Sequence, residues 1–428
     1  MSSAARPAPV RRTGLGPAQA TALYVGAVLG TGVIGLPALA ADAAGPASLV
    51  AWLFLVVASV PLAATFAALG ARYPDSGGVS TYARRAFGDR AADLVGWTFW
   101  AAIPPGAPAA ALFAGAYVEA AVGGGTRTVV LTGAAVLVAA FAVNWAGVRV
   151  AGWVQLALAA TLVVFLLVAV LGSLDAADPA GFVPFAPHGW TAIVPAAALL
   201  VWSFVGWEAI THLTGEFRDP GRDVPRATAA ALVVVGVIYL AVAFAVVAVL
   251  GARAGEDAAP LAELFAVALG AHGRAVAAVV AVLLTFGVLN AYVAGAAKLG
   301  AALARDGALP AWLARGSRAG EVPRRSLVVI TVASGAMLAL SVTLELDLAT
   351  LVRLATACFV VVYGVGVLAA LRLLPVRGAG WWAAVTSLVV VVALLVASGA
   401  YLAWPAAIAA SAWGVTVLAR RWRAATAP

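Results

Sequence analysis

Apolar runs of about twenty residues follow one another along almost the whole chain, separated by short segments that hold most of the charge. A helix rising about 1.5 Å per residue needs roughly 20 such residues to cross about 30 Å of hydrocarbon. The runs therefore predict a polytopic, all-α membrane protein with about twelve spans. Their limits fall near 15–41, 48–70, 91–119, 126–145, 149–172, 190–213, 226–250, 273–302, 326–344, 348–371, 379–397 and 400–419. Only 10% of the residues are charged, against roughly 25% in a soluble protein, so most side chains face lipid or one another.

The net charge of +8 raises the question of a nucleic-acid partner. The arginines lie in short loops between apolar runs rather than in one stripe, so the charge reads as topology and no nucleic acid is expected. With a cytoplasmic N-terminus, Arg6, Arg11, Arg12, Arg72, Arg84, Arg85, Arg90, Arg149, Arg218, Arg222 and Arg226 fall inside. So do the arginines from Arg305 to Arg325 and from Arg372 onward, whereas the outside holds only Arg127, Arg253, Arg274 and Arg353. This bias predicts a multi-pass protein of the cell membrane with both termini cytoplasmic. The single cysteine, Cys358, allows neither a disulfide framework nor a cysteine metal cluster. The first apolar run is longer than a signal-peptide core, and no cleavage is expected.

That first run carries Gly26, Gly30, Gly32 and Gly35, closed by Pro37. Glycine costs a helix roughly 1 kcal/mol relative to alanine, so the chain is expected to unwind there. An unwound backbone in hydrocarbon is tolerable only when protein, water or a ligand answers its polar groups, which makes the break a candidate binding site. A second interruption lies in the sixth run, where Trp202, Ser203, Phe204, Val205, Gly206 and Trp207 lead to Glu208, Thr211 and His212. A carboxylate at mid-membrane costs roughly 2.5 to 3.5 kcal/mol on the insertion scale, so Glu208 must face protein or water, as a helix-capping acid, a site residue, or both. His212 reads as a helix-end residue with a proton role as the alternative. Lys298 reads as a residue snorkelling to the cytoplasmic surface, with an ion-pair or gating role as the alternative.

Five spans separate the two interruptions, so they run through the membrane in opposite directions, as in an inverted repeat with its site at mid-membrane. Half-helix N-termini offer free N–H groups to an anion and half-helix C-termini offer carbonyls to a cation. A ligand with a carboxylate and an ammonium on one carbon, an amino acid, fits such a pair of ends. Two loops complete the reading. Residues 73–88 mix turn glycines with aromatic and basic residues at helical spacing, as a short interfacial helix would. Residues 215–226 interleave acids and bases, Glu216 and Arg226 among them, which predicts ion pairs that hold a cytoplasmic gate.

These motifs resemble those of the amino acid-polyamine-organocation (APC) superfamily of transporters. Residues 29–35 look like its first-helix glycine motif, 204–208 with 216–226 like its sixth-helix signature, 305–310 with Pro323 and Arg324 like the loop after its eighth helix, and 77–88 like the loop after its second. Residues 103–110 and 205–212 look most like the bacterial branch that exports methionine and branched-chain amino acids. The resemblance implies the LeuT-like fold, a 5+5 inverted repeat with helices 1 and 6 broken plus two C-terminal helices. Its divisions would be a tail at 1–14, a ten-helix core at 15–372 (repeats near 15–172 and 190–372), helices 11 and 12 at 379–420 and a tail at 421–428.

By the same resemblance, the backbone around Gly30, Thr31 and Gly32 would receive the substrate carboxylate. Carbonyls near Ala27, Val28, Trp202 and Phe204 would receive its ammonium. Phe204 or Trp207, beside Val205 and Gly206, would line or gate the side-chain pocket, facing Ile103 and Asn290. Many proton-coupled relatives carry a lysine in the fifth helix, and 150–172 contains no basic residue, which leaves Glu208 as the candidate protonatable group. The implied function is secondary transport, or counter-transport, of small neutral amino acids by alternating access, in the direction of export. No cofactor or metal is called for; the coupling ion is a proton or sodium, and the protein would be a monomer or a homodimer in the bilayer. An uptake permease or polyamine exchanger, a non-transporting sensor and an intramembrane enzyme are the alternatives. Polyamines would call for more acids than Glu208 inside the membrane, and no serine–histidine pair, aspartate pair or metal cluster is apparent.

Overall fold

The computed structural model describes residues 17–74, 78–147, 152–208, 217–256, 259–317 and 321–425. Of the expected gate and proton residues, His212 and Glu216 lie outside this set, and the side chains of Ala27 and Phe204 are likewise not described. The described residues are mostly helical. In order it forms α1 (Pro17–Leu29), α2 (Gly32–Ala44), α3 (Ser48–Arg72), α4 (Val79–Phe87), α5 (Asp89–Val122), α6 (Gly125–Ala146), α7 (Gly152–Ser173) and α8 (Ile193–Leu200). After a 3-10 turn over Val201–Phe204 follow α9 (Pro220–Leu250), α10 (Pro260–Leu269), α11 (Gly273–Arg305), α12 (Arg324–Thr343), α13 (Leu348–Leu373), α14 (Ala379–Ser398) and α15 (Ala403–Ala425).

Among the described residues, nine stretches are long and apolar enough to cross a membrane. Three of these stretches run through two helices joined by tight turns, α2 with α3, α10 with α11 and α14 with α15, whereas the 8 residues of α8 are too few to cross alone. The interior helix is α5: 89% of its apolar window is buried in protein, against 28% for α6, which therefore lies at the periphery. Alanines, glycines and prolines fill the middle of α5, and this small-residue surface lets α6, α11 and α13 approach it closely.

The first interruption is narrower than the glycine pattern implies. Only Gly30 and Thr31 leave the helix, and Gly32, Gly35 and Pro37 are turns of α2. Packing explains the difference. A Cβ on Gly35 would fall inside the Phe113 ring of α5, so this glycine serves a helix contact rather than a break. On the same face, the Tyr117 hydroxyl donates to the Ile34 carbonyl at 2.7 Å and accepts the Leu261 N–H at 3.3 Å, pinning α2 between α5 and α10.

Residues near the start and end of α2 meet the end and start of the sixth run. Space for a Cβ on Gly32 is taken by Ser203, and on Gly45 by Pro187. Helices α2 and α8 are thus antiparallel neighbours, and the chain passes the two interruptions in opposite directions. The expected interfacial helix is α4, whose Val79, Tyr82, Ala83 and Ala86 are buried while Arg84, Arg85 and Phe87 are exposed.

Gly35→Val tests the packing account. Overfilling a tight contact costs about 1–3 kcal/mol. The variant should show a lower melting temperature in detergent, and adding Phe113→Ala should restore part of the loss.

Candidate functional site

At the first break Gly30 takes φ +33°, a left-handed backbone that favours glycine. Thr31 precedes α2 in the N-cap position without a side-chain hydrogen bond to the helix, leaving the first-turn N–H groups to other partners. At the second break the 3-10 turn ends at Phe204, Val205 is extended, and Gly206 takes φ +134°.

The breaks touch. A Cβ on Gly32 would lie 2.9 Å from the Ser203 Cα and 3.1 Å from the Trp202 ring, so even a methyl group would push the two segments apart. The hydroxyl of Tyr239, fully buried on α9, lies 2.7 Å from the Val28 carbonyl and 2.5 Å from the Ser203 carbonyl. One hydroxyl proton serves one carbonyl at a time. The side chain therefore ties both breaks to α9, while each oxygen, with two lone pairs, keeps acceptor capacity for a cation or an ammonium.

Glu208 is fully buried beside the second break. Its Oε2 accepts the Gly206 N–H at 3.0 Å and the Tyr363 hydroxyl at 2.6 Å. The carboxylate thus closes the Val205–Glu208 turn on itself and fastens it to α13. Trp207 packs on Tyr24 of α1, ring centres 5.8 Å apart, and the Thr228 hydroxyl of α9 donates to Tyr24 at 2.9 Å. Hydroxyls of α1, α9 and α13 therefore surround the turns that the sequence leaves without helical hydrogen bonds.

Between the breaks and the central helix lies a small cavity that reaches both interruptions. One wall is Val28, Gly30, Thr31 and Gly32 with Trp202 and Val205; α5 supplies Ala102, Ile103, Gly106, Ala107 and Ala110. The remaining wall is Val288, Leu289 and Tyr292 of α11 with Phe359 of α13. No charged side chain lines it among the described residues. Polar groups are confined to the break, where Thr31 lies, and to Tyr292. Such a space holds an apolar side chain and offers a polar head the ends of two helices.

Of the residues singled out in the sequence, Val28, Gly30, Thr31, Gly32, Ile103, Trp202 and Val205 border this cavity together. Others stand elsewhere. Asn290, next to the lining Leu289, points a helical step away, and the Asn144 Nδ2 donates to its Oδ1 at 2.8 Å, so it links α11 to α6 instead of facing the cavity. Trp207 is packed behind the break rather than on it. Lys298 and Arg226 are exposed, and neither forms an ion pair among the described residues.

The acids after the sixth run begin a helix. Asp223, in the first turn of α9, accepts the Asp219 N–H at 3.2 Å. The described ion pairs at that end lie elsewhere: Arg84 contacts Asp89 at 3.0 Å and Asp306 at 3.6 Å, linking α4, α5 and the end of α11.

Sequence reasoning passed over Tyr239, Tyr363, Tyr292 and Phe359, together with Gly106. The signal was present: the chain holds only eight tyrosines, and these three interrupt apolar runs, where a phenol needs a partner. Gly106 falls between Pro105 and Ala107 and leaves 3.0 Å between its absent Cβ and the Trp202 ring, so it makes room for the indole.

The amino acid permease family matches residues 15–418. Over 395 residues the chain is 33% identical to the uncharacterized amino acid permease YecA of Bacillus subtilis, covering 92% of this chain and 93% of the relative. Over 370 residues it is 34% identical to the L-methionine/branched-chain amino acid exporter YjeH of Escherichia coli, covering 85% and 87%. The uncharacterized transporter Rv1999c of Mycobacterium tuberculosis is 36% identical over 324 residues, 74% and 72% of the two chains.

Two substitutions probe the crossing. Tyr239→Phe leaves two buried carbonyls without their shared donor and should destabilise the protein by about 1–3 kcal/mol in a thermal melt. Gly32→Ala should leave the protein inserted but lower binding of a labelled substrate at least tenfold, because the methyl group meets the Ser203 backbone.

Proposed function

The chain belongs to the amino acid permease family of the APC superfamily, and on that premise we propose that it exports small neutral, mainly apolar amino acids of the methionine, leucine, isoleucine and valine type. The family is one of transporters, not enzymes, and its substrates are small molecules that cross the bilayer. The observation that carries the narrower reading is the lining of the cavity: aliphatic and aromatic side chains along α5, α11 and α13, with no charged one among the described residues. A cationic side chain or a polyamine would enter without a counter-charge, at a cost of several kcal/mol.

In this reading the N–H groups at Thr31 and Gly32 receive the carboxylate, and the carbonyls at Val28 and around Trp202 to Phe204 receive the ammonium. Each is a helix end of the matching polarity. The antiparallel passage of α2 and α8 supports an inverted repeat of spans one to five and six to ten, within twelve spans and with both termini cytoplasmic. Alternating access then rocks one set of helices about the fixed crossing. Export follows the activity in the name of the relative YjeH.

Glu208 is the proposed protonatable group. Protonation would weaken its hold on the Gly206 N–H and the Tyr363 hydroxyl, and so free the Val205–Glu208 turn.

Purified protein in proteoliposomes, given labelled leucine or methionine under imposed pH and sodium gradients, tests substrate and coupling together. Leucine and methionine should move at least tenfold faster than lysine, and equal rates would overturn the substrate assignment. Glu208→Gln should leave a transport rate independent of the pH gradient; an unchanged pH profile would remove this residue from the coupling. Direction is read from cellular accumulation of labelled methionine, which should rise when the gene is deleted.

A further inference from the structure

At the α4 end of the bundle, the last turn of α3, helix α4 and the end of α13 meet around two aromatic rings. The Tyr73 hydroxyl donates to the Leu373 carbonyl at 3.1 Å, which fixes its ring between the two helices. Guanidinium carbons of Arg72 and Arg85 lie 5.8 and 4.9 Å from that ring's centre, and the guanidinium of Arg372 lies 5.7 Å from the ring of Phe87. Arg377 lies in the turn between Pro375 and Gly378 that follows. Beside them runs an open groove bounded by Ala68, Ala71 and Arg72 of α3 and by Leu374, Pro375 and Gly378 of the turn.

The positive-inside bias accounts for arginines at this end of the molecule. It does not account for their convergence. Arg72 and Arg85 share one ring while Arg372 and Arg377 belong to the adjoining chain end, and none of the four forms an ion pair among the described residues. Three are instead held against aromatic faces, so their positions are set before any ligand arrives.

The residues around the groove are of the kind that gather at a membrane surface. Trp381 and Trp382 open α14 as an edge-to-face pair with ring centres 5.0 Å apart, Trp382 and Phe87 are exposed, and exposed valines at 389 and 392 continue along α14. Tryptophan gathers where headgroups meet hydrocarbon. Arginine binds phosphate through paired N–H donors, and the open sides of the valines give acyl chains a surface to follow.

We propose that this groove and the arginines beside it bind the phosphate of an anionic phospholipid, with Arg72 on the groove wall, Arg85 sharing the Tyr73 ring with it, and Arg372 and Arg377 on the adjoining end of α13 and its turn. A zwitterionic choline headgroup would bring its own cation against the arginines and bind less well. The occupied site would join α3, α4 and α13 at the end where α4 is also paired, through Arg84, to the end of α11.

Native mass spectrometry of the purified full-length protein tests the site, using phosphatidylglycerol and phosphatidylcholine added in equal amounts. The wild type should retain phosphatidylglycerol at least tenfold over phosphatidylcholine, and Arg72→Gln with Arg85→Gln should lose about tenfold of that preference. Arg274→Gln, at the opposite end, should keep it. The charge-preserving pair Arg72→Lys and Arg85→Lys guards against misfolding and should fall between, since lysine lacks the two-pronged donor. Equal retention of the two lipids by the wild type, or undiminished preference in the glutamine pair, would overturn the proposal. Displacement of bound lipid by millimolar inorganic phosphate would mark a free-anion site and overturn the lipid assignment.

Discussion

The structure depends on one constraint: inside a membrane, a backbone that leaves the helix must find new partners for its N–H and C=O groups. Here it leaves the helix twice, the two breaks pack against each other, and neighbouring side chains answer part of that demand. Tyr239 shares one hydroxyl proton between the Val28 and Ser203 carbonyls, at 2.7 and 2.5 Å, and Glu208 folds the second break onto its own Gly206 N–H while bonding Tyr363. The donors come from α9 and α13, so the crossing is fixed to the surrounding helices rather than self-supporting.

That arrangement also decides what the cavity can hold. Because Tyr239 and Glu208 lie behind the breaks, the face turned toward α5 carries helix ends and little else that is polar. Opposite it, α5 presents small residues, and α11 and α13 present apolar ones apart from Tyr292. Polarity is concentrated at one side of the space and greasy surface at the other, which is also the distribution of charge in a zwitterionic amino acid with an aliphatic side chain. The close contact of Gly32 with Ser203 leaves no room for a side chain between the two segments.

The periphery follows different rules. At the α4 end, exposed pairs among Arg84, Asp89, Arg305 and Asp306 contribute little to stability, each about 0–1 kcal/mol, yet they connect helices from separate parts of the chain. The arginines on Tyr73 and Phe87 are a second layer of the same junction, oriented outward.

Much of this was legible in the sequence. Helix limits followed from apolar length, and α4 from the spacing of its buried residues. The positions of the two breaks followed from glycine clustering and a buried acid. The sequence also exposed Val28, Thr31, Gly32, Ile103, Trp202 and Val205 as neighbours of a cavity, because glycine-rich breaks and motif resemblance both report on local backbone.

Other features depended on which face of a helix points where. Asn290 looked like a site residue and turned to Asn144, while Leu289 and Tyr292 on the same helix face the cavity; 100° of rotation per residue separates these fates, and an almost uniformly apolar helix gives no stripe from which to read it. Likewise Gly35 read as a helix breaker and proved to be the contact for Phe113. The sequence by itself determined that this chain crosses a membrane in helices and breaks two of them. Only the tertiary structure decided which buried phenols answer the breaks, because a hydroxyl finds its carbonyl through packing between helices distant in the chain.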